Sequence, residues 1–394
     1  MDKKQKRSIV RRTQIPASVS RPVVTPLMPS VVYASKSADQ LDDQYEGRLE
    51  GYTYAREGHP NATVLAQKID LLENVNDGLI TSSGMGAITA MLMATLKSGD
   101  HIVAADQLYG RSLRLMTYDL PRLGIQTSFV DPTDRTAIEA AIGPKTRMLF
   151  FEVVSNPTLR ISDMRAIADL ARKYQILQVV DNTFTTPAAY QPVDFKADII
   201  IHSVTKLLGG HSDVTLGYVV ASDSDLQKQI YDAAVTWGFT PSPFDCWLAE
   251  RGLHSFPLRF EKAQSNARVL ADSLGECQGV EKVIYPGRQD HPDFELAKTV
   301  LGENPGNMVS FRLSGGREAA NRLIRAMPEV PFAPTLGDVA TTLSHPASSS
   351  HRGLSADERL ALGITEGFFR VSVGIEDAEM LCEEFRSAVS ATLN

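Results

Sequence analysis

The sequence predicts an α/β protein with a large domain on a mostly parallel seven-stranded sheet, a smaller C-terminal α/β domain and an extended N-terminal arm. Three observations carry this. From about residue 60, short apolar runs of strand length alternate with stretches of helical periodicity. Most of those runs are continuously apolar, which suits strands covered on both faces. After Pro241-Ser-Pro243 the pattern changes, and a long helical stretch around Phe260–Leu274 leads into a second region of separate strands and helices. The expected divisions are 1–60, 61–250 and 251–394.

Taken in order, the arm holds Pro16, Pro22, Pro26 and Pro29 and shows no sustained periodicity, so it should wrap in extended form on something larger. Its Lys3, Lys4, Lys6, Arg7, Arg11 and Arg12 have no apolar segment behind them, which reads as a solvated arm rather than a secretory signal. Asn61 can cap a helix whose Val64, Leu65, Ile69 and Leu72 share one face. Gly78–Thr81 then reads as a strand running into Ser82-Ser-Gly-Met-Gly86. The nearly apolar stretch Gly84–Leu96 is far short of the roughly twenty residues that span a bilayer, so it reads as a buried helix. Six further strands are expected at His101–Asp106, Ile125–Asp131, Arg147–Val154, Ile176–Asp181, Asp198–Ser203 and Leu216–Ala221, with helices such as Ser162–Tyr174 between them.

Composition narrows the function. The 394 residues are 43% hydrophobic and 22% charged, the balance of a folded globular chain. The net charge of −7 gives no general attraction to nucleic acid or anionic lipid, so neither partner is expected. Cys246, Cys277 and Cys382 lack CxxC spacing, and no His, Cys or acidic cluster has metal-site spacing. A reducing, cytoplasmic location without structural metal is expected.

The strongest chemical signal is the strand end around His202-Ser-Val-Thr-Lys206. Side chains alternate along a strand, so Ser203 and Thr205 share one face. Two hydroxyls beside a lysine can hold a phosphate while the amine forms an imine with a carbonyl, which outlines a pyridoxal 5'-phosphate (PLP) site. A plain polar exit from the sheet is the alternative. Asp181 ends another buried strand, where a carboxylate can ion-pair a pyridinium nitrogen or simply cap a turn. Ser83-Gly-Met-Gly-Ala87 offers backbone N–H groups at a helix start, suited to phosphate or to a tight turn. The same Gly84-x-Gly86, trailed by Asp106, also permits an NAD-dependent Rossmann dehydrogenase. That reading leaves Thr89 in place of the third glycine and gives Lys206 and Asp181 no task. Trp237 and Trp247 read as packing residues, and His202 and His211 as structural ones.

Over nearly its whole length the chain resembles the cystathionine gamma-synthase-like family of PLP-dependent enzymes of Cys and Met metabolism. The resemblance rests on Tyr52-Thr-Tyr-Ala-Arg56, Ser83-Gly-Met-Gly-Ala87, Leu108-Tyr-Gly110, Asp181-Asn-Thr-Phe184, His202-Ser-Val-Thr-Lys206, Gly210-His-Ser-Asp213, Pro241-Ser-Pro-Phe-Asp-Cys-Trp247, His345-Pro-Ala347 and Phe369–Asp377, in the family's order. It implies the type I aminotransferase fold. It also implies that Lys206 carries the cofactor and shuttles protons, that Asp181 meets the pyridinium, and that Tyr109 stacks on the ring. Gly84, Met85, Ser203 and Thr205 would hold the phosphate, completed by Tyr54 and Arg56 from a neighbouring subunit. Arg370, helped by Asn156 and Thr335, would bind the substrate carboxylate through its planar fork. A homotetramer, a dimer of active dimers, follows from the shared site.

The implied chemistry is γ-elimination or γ-replacement on an L-amino acid with a homoserine-type skeleton. Candidate activities are cystathionine gamma-synthase, O-succinyl- or O-acetylhomoserine sulfhydrylase, or a γ-lyase on a non-sulfur substrate such as canavanine. Methionine gamma-lyases carry a cysteine where this chain has Arg111, and cystathionine gamma-lyases carry a glutamate where it has Pro334. Both departures count against those activities. Glu57 and His59 are further departures, as is Leu207-Leu-Gly-Gly210 after the lysine. Glu57 in the pocket would favour a cationic side chain, and Arg111 there would favour a succinyl carboxylate. Exposure of both at the rim, or their mutual pairing, is the alternative.

Overall fold

The computed structural model describes residues 18–393. The basic residues 3–12 and Pro16 lie outside the described residues. All seven expected strands form: β1 (Leu79–Thr81), β2 (His101–Ala105), β3 (Gln126–Val130), β4 (Thr146–Glu152), β5 (Leu177–Asp181), β6 (Ile199–Ser203) and β7 (Gly217–Ala221). They build one sheet in the order β1-β7-β6-β5-β4-β2-β3. Only the pairings of β7, with β1 and β6, are antiparallel. The parallel strands β4, β5 and β6 therefore end at one edge, delivering Glu152, Asp181 and Ser203 side by side. Helices cover both faces, so Phe150, Phe151, Val179, Val180, Ile199 and Ile201 are fully buried, which is why the runs are continuously apolar.

The helix Pro60–Glu73 is capped by His59, not Asn61: the His59 Nδ1 accepts the Ala62 N–H at 3.2 Å. Pro60 explains the shift, because a residue with no N–H fits the first helical position and so places the cap at His59, two residues before Asn61. Asn61 instead pins the arm, accepting from Met28 N and donating to Pro26 O, both at 3.0 Å. The arm also holds a short helix, Ala38–Tyr45, that the sequence pattern does not signal; none of its residues is buried, so it has no apolar face to display. The helices Gly84–Thr95 and Met164–Tyr174 form where expected.

Four further strands, β8 (Val280–Ile284), β9 (Met308–Leu313), β10 (Thr342–Ser344) and β11 (Phe368–Ser372), form an antiparallel sheet in the order β10-β11-β9-β8. The helix Phe256–Gly275 links two cores: Phe256 and Phe260 pack with the large sheet, while Leu270 and Leu274 pack with Phe311, Phe369 and Phe385. Residue 250 falls inside the preceding helix, Pro243–Leu253. Arg160 ties the helix Phe294–Leu301 to the large domain by donating to both Asp293 oxygens, at 2.6 and 3.0 Å. Trp237 is 58% exposed and does not pack in this chain. Trp247 does, stacking near Phe244 and donating to Thr25 O of the arm at 2.8 Å. Among the described residues no helix is long and apolar enough to cross a membrane, and no cluster of metal-ligating side chains occurs.

Candidate active site

The C-terminal edge of β4, β5 and β6 opens into a cavity of about 1210 Å³, closed on its far side by β11 and the loop around Thr335. Ser83 starts the adjoining helix, its Oγ accepting the Gly86 N–H at 3.0 Å. A Cβ on Gly84 would lie 2.8 Å from Ser203 Cβ and 3.1 Å from its Oγ, so only glycine lets this helix N-terminus close on Ser203. Unpaired N–H groups and a hydroxyl thus converge where the helix dipole favours an anion. Thr205 lies close by, its hydroxyl exchanging hydrogen bonds with the Leu216 backbone at 3.2 and 3.0 Å.

Lys206 follows in the turn after β6. Burial, and then the Arg370 charge, lowers the proton affinity of its amine. Its Nζ reaches Thr335 Oγ1 at 3.5 Å. Asp181 Oδ1 is held by Thr183, through the hydroxyl at 2.5 Å and the N–H at 3.1 Å, which leaves Oδ2 without a hydrogen bond among the described residues. Burial raises the Asp181 carboxyl, and the Thr183 donors and then His202 pull it back toward the ionised form. A protonated ring nitrogen meeting Oδ2 would complete that balance.

Arg370 on β11 is buried. It donates from Nη1 to Asn156 Oδ1 at 2.6 Å and from Nη2 to Thr335 O at 2.9 Å, while its Nε has no partner. Burial lowers it to about 10. An immobilised, under-satisfied guanidinium facing a cavity is a carboxylate receptor. Tyr109 and Met85 line the same space, and Arg111 stands at its mouth.

The single chain brings Lys206, Asp181, Ser203, Thr205, Gly84, Met85, Tyr109, Asn156, Thr335, Arg370 and Arg111 to one cavity. It does not bring Tyr54, Arg56 or Glu57 there. Arg56 and Glu57 line a separate hollow of about 830 Å³ on another part of the surface. Arg56 lies 5.5 Å from the Tyr54 ring centroid and 3.7 Å from Glu57 Oε1, and Tyr231 donates to Glu57 O at 2.7 Å. Glu57 therefore pairs with its sequence neighbour, not with Arg111.

Sequence reasoning missed Glu152, whose Oε1 accepts the Tyr109 N–H at 2.7 Å and whose Oε2 is buried without a partner. An acid ending the apolar run Leu149-Phe-Phe-Glu152 was the available signal. Thr183 was missed as the clamp on Asp181. His351, buried beside the cavity with Nε2 unpartnered, carried no signal because its loop has no periodicity.

A lysine whose proton affinity burial lowers, sharing a cavity with a buried aspartate and an anion cradle at the adjoining helix start, defines a carbonyl-binding lysine site whose residues fit PLP. The family model for Cys/Met metabolism PLP-dependent enzymes matches residues 7–390. The chain is 42% identical over 343 residues to cystathionine gamma-lyase of Bacillus subtilis (strain 168), covering 87% of this chain and 90% of that one. It is 41% identical over 339 residues to cystathionine beta-lyase MetC of the same organism, covering 86% of each. A crystal structure of cystathionine gamma synthase from Xanthomonas oryzae pv. oryzae, in complex with aminoacrylate and cysteine, superposes with a TM-score of 0.89 at 36% identity, covering 94% of each chain. The chain belongs to the PLP-dependent enzymes of Cys/Met metabolism. The expected fold and cofactor are borne out, and the NAD-dependent reading falls.

Proposed function

We propose that the protein catalyses γ-elimination or γ-replacement on an L-amino acid with a homoserine-type skeleton. When bound, PLP supplies an electron sink for charge developing beside the substrate amino group. The remaining work falls to the chain's own groups. Lys206 would carry the cofactor and would move the α proton and then a β proton, a task suited to an amine whose proton affinity burial lowers. Asp181 would favour a protonated ring nitrogen. Ser203, Thr205 and the N–H groups of Gly84 and Met85 would hold the phosphate. Arg370, set by Asn156 and Thr335, would hold the substrate carboxylate, and Tyr109 would exchange protons with the leaving group.

The observation that carries this reading is the placing of Lys206, Asp181 and the under-satisfied Arg370 guanidinium in one cavity. Tyr54 and Arg56 complete the phosphate site of a neighbouring subunit, which makes the active unit a dimer, paired into a homotetramer in the cytoplasm. Arg111, exposed at the mouth with no carboxylate within salt-bridge distance among the described residues, favours a γ-substituent that carries a carboxylate, as O-succinylhomoserine or cystathionine does. In the single chain Glu57 pairs with Arg56, so the canavanine reading would need Glu57 to enter the neighbouring subunit's cavity together with Arg56. The 42% identity to a cystathionine gamma-lyase also outweighs the departure at Pro334.

The test is turnover of cystathionine, O-succinylhomoserine and methionine in deuterated water. Deuterium at both the α and β carbons of recovered substrate or of a replacement product, with 2-oxobutyrate as the elimination product, supports γ-chemistry. Exchange at the α carbon alone in recovered substrate, with pyruvate formed from cystathionine, would assign β-elimination instead.

A further inference from the structure

Behind the sheet, on the face away from the cavity, lies a pair of ionisable groups that the proposed chemistry does not use. His202 on β6 and Glu73 at the end of the helix Pro60–Glu73 are both sealed from solvent, 1% and 0% exposed. Glu73 Oε1 is hydrogen-bonded to His202 Nε2 and accepts from Asn182 Nδ2 at 2.9 Å, whereas Glu73 Oε2 has no partner. Asn182 is the residue after Asp181, and Asp181 pairs with Ile201, the residue before His202. Through β5 and β6 the pair is thus mounted directly behind the carboxylate that faces the ring nitrogen.

A buried carboxylate costs several kcal/mol to ionise unless it is paired, and an imidazole is its nearest partner. We infer that Glu73 holds His202 as an imidazolium, and that this buried cation keeps the proton between Asp181 and the cofactor's ring nitrogen on the nitrogen. Glu73 and His202 are then positioning residues that touch neither cofactor nor substrate. The charges facing Asp181 support this. Burial, and then the Asp181 charge, raises the proton affinity of Glu152 on β4. Arg370 acts on Glu152, and the Asp181 carboxyl itself is lowered by the Thr183 donors and then by His202.

The inference rests on Asp181 meeting the ring nitrogen, so the test includes Asp181→Asn as a reference. Holoenzyme would be loaded with ring-15N pyridoxal phosphate and its nitrogen shift read by solid-state NMR. The wild type should show a protonated ring nitrogen. Glu73→Gln should move the signal toward the unprotonated position and weaken cofactor binding about tenfold, the equivalent of one lost pKa unit. Glu73→Asp should restore the wild-type signal. An unchanged nitrogen shift in folded Glu73→Gln would overturn the inference. An unchanged shift in Asp181→Asn would instead overturn the role given to Asp181. Should Glu73→Gln fail to fold, the 15N-labelled imidazole of His202 in wild-type holoenzyme decides: two protonated nitrogens uphold the inference, and a neutral ring ends it.

Discussion

Arg370→Lys is the sharpest test of the carboxylate receptor. The guanidinium spends Nη1 on Asn156 Oδ1 and Nη2 on Thr335 O, and these anchors fix the plane in which its remaining N–H groups meet a carboxylate. Lysine keeps the charge but has one donor nitrogen, so it cannot hold both anchors and a two-pronged contact together. One lost hydrogen bond to a charged group is worth about 1.5–3 kcal/mol, which lowers kcat/KM about 10- to 100-fold. Most of the loss should fall on KM, because the carboxylate is held equally before and during reaction. The visible absorbance of the Lys206-linked cofactor should persist, since lysine preserves the positive charge that acts on Lys206. Steady-state kinetics on cystathionine beside a decarboxylated amine analogue would show it. Equal loss on both compounds, or no change in KM, would refute the assignment.

Lys206→Ala should lose the visible cofactor absorbance and all turnover, and mixing it with inactive Arg56→Ala should restore activity through hybrid dimers. No recovery after verified subunit exchange would mean that each chain builds its own site. Gly337 has φ +81°, and a Cβ there would lie 2.4 Å from Leu207 N and 2.8 Å from Lys206 C. Gly337→Ala should therefore cost roughly 1–3 kcal/mol in thermal unfolding and shift the cofactor spectrum; an unchanged melt would contradict the strain. Burial lowers His59, His101, His291, His345 and His351, the last to about 4 from 6.5. The unfolded chain therefore takes up protons first, so stability is full above about pH 6.5 and falls as pH drops toward the lowered values. His351 alone accounts for about 3 kcal/mol of that loss, and denaturant melts of wild type and His351→Gln between pH 7 and 4 would register a shallower slope in the variant.

What the sequence disclosed follows from range of action. Strands β1 to β7 were legible because most of them are continuously apolar, β3 with Gln126, Thr127 and Ser128 being an exception, and Asp181, Ser203 and Lys206 because they end such runs. The cap at His59 was misassigned to Asn61 because two polar residues flank Pro60, and only the proline's missing N–H decides between them. The roles of Thr183 and Glu152 were harder to read. Thr183 clamps Asp181 from two residues on, a contact that a plain turn would make as well. Glu152 ends an apolar run, but no local pattern encodes its contact with the Tyr109 N–H across 43 residues. The separation of Glu57 from Arg111 likewise depends on where the arm lies, which proline content alone does not fix.

Glu152 shows why such hidden residues matter to the chemistry. It sits in register with Asp181 on the neighbouring strand, so two carboxyl groups share one dry edge. Two buried like charges at that spacing cannot both persist. Burial, then the Asp181 charge, raises Glu152 well above the usual carboxylate range, and its Oε1 settles for a neutral contact with the Tyr109 N–H. Of the two, Asp181 is the better held as an anion, with Thr183 as donor and His202 behind it. With its proton affinity raised, Glu152 competes less with an incoming carboxylate for Arg370. The pair thus leaves Asp181 for the ring nitrogen and Arg370 for the substrate carboxylate, while Glu152 Oε1 fixes the Tyr109 backbone.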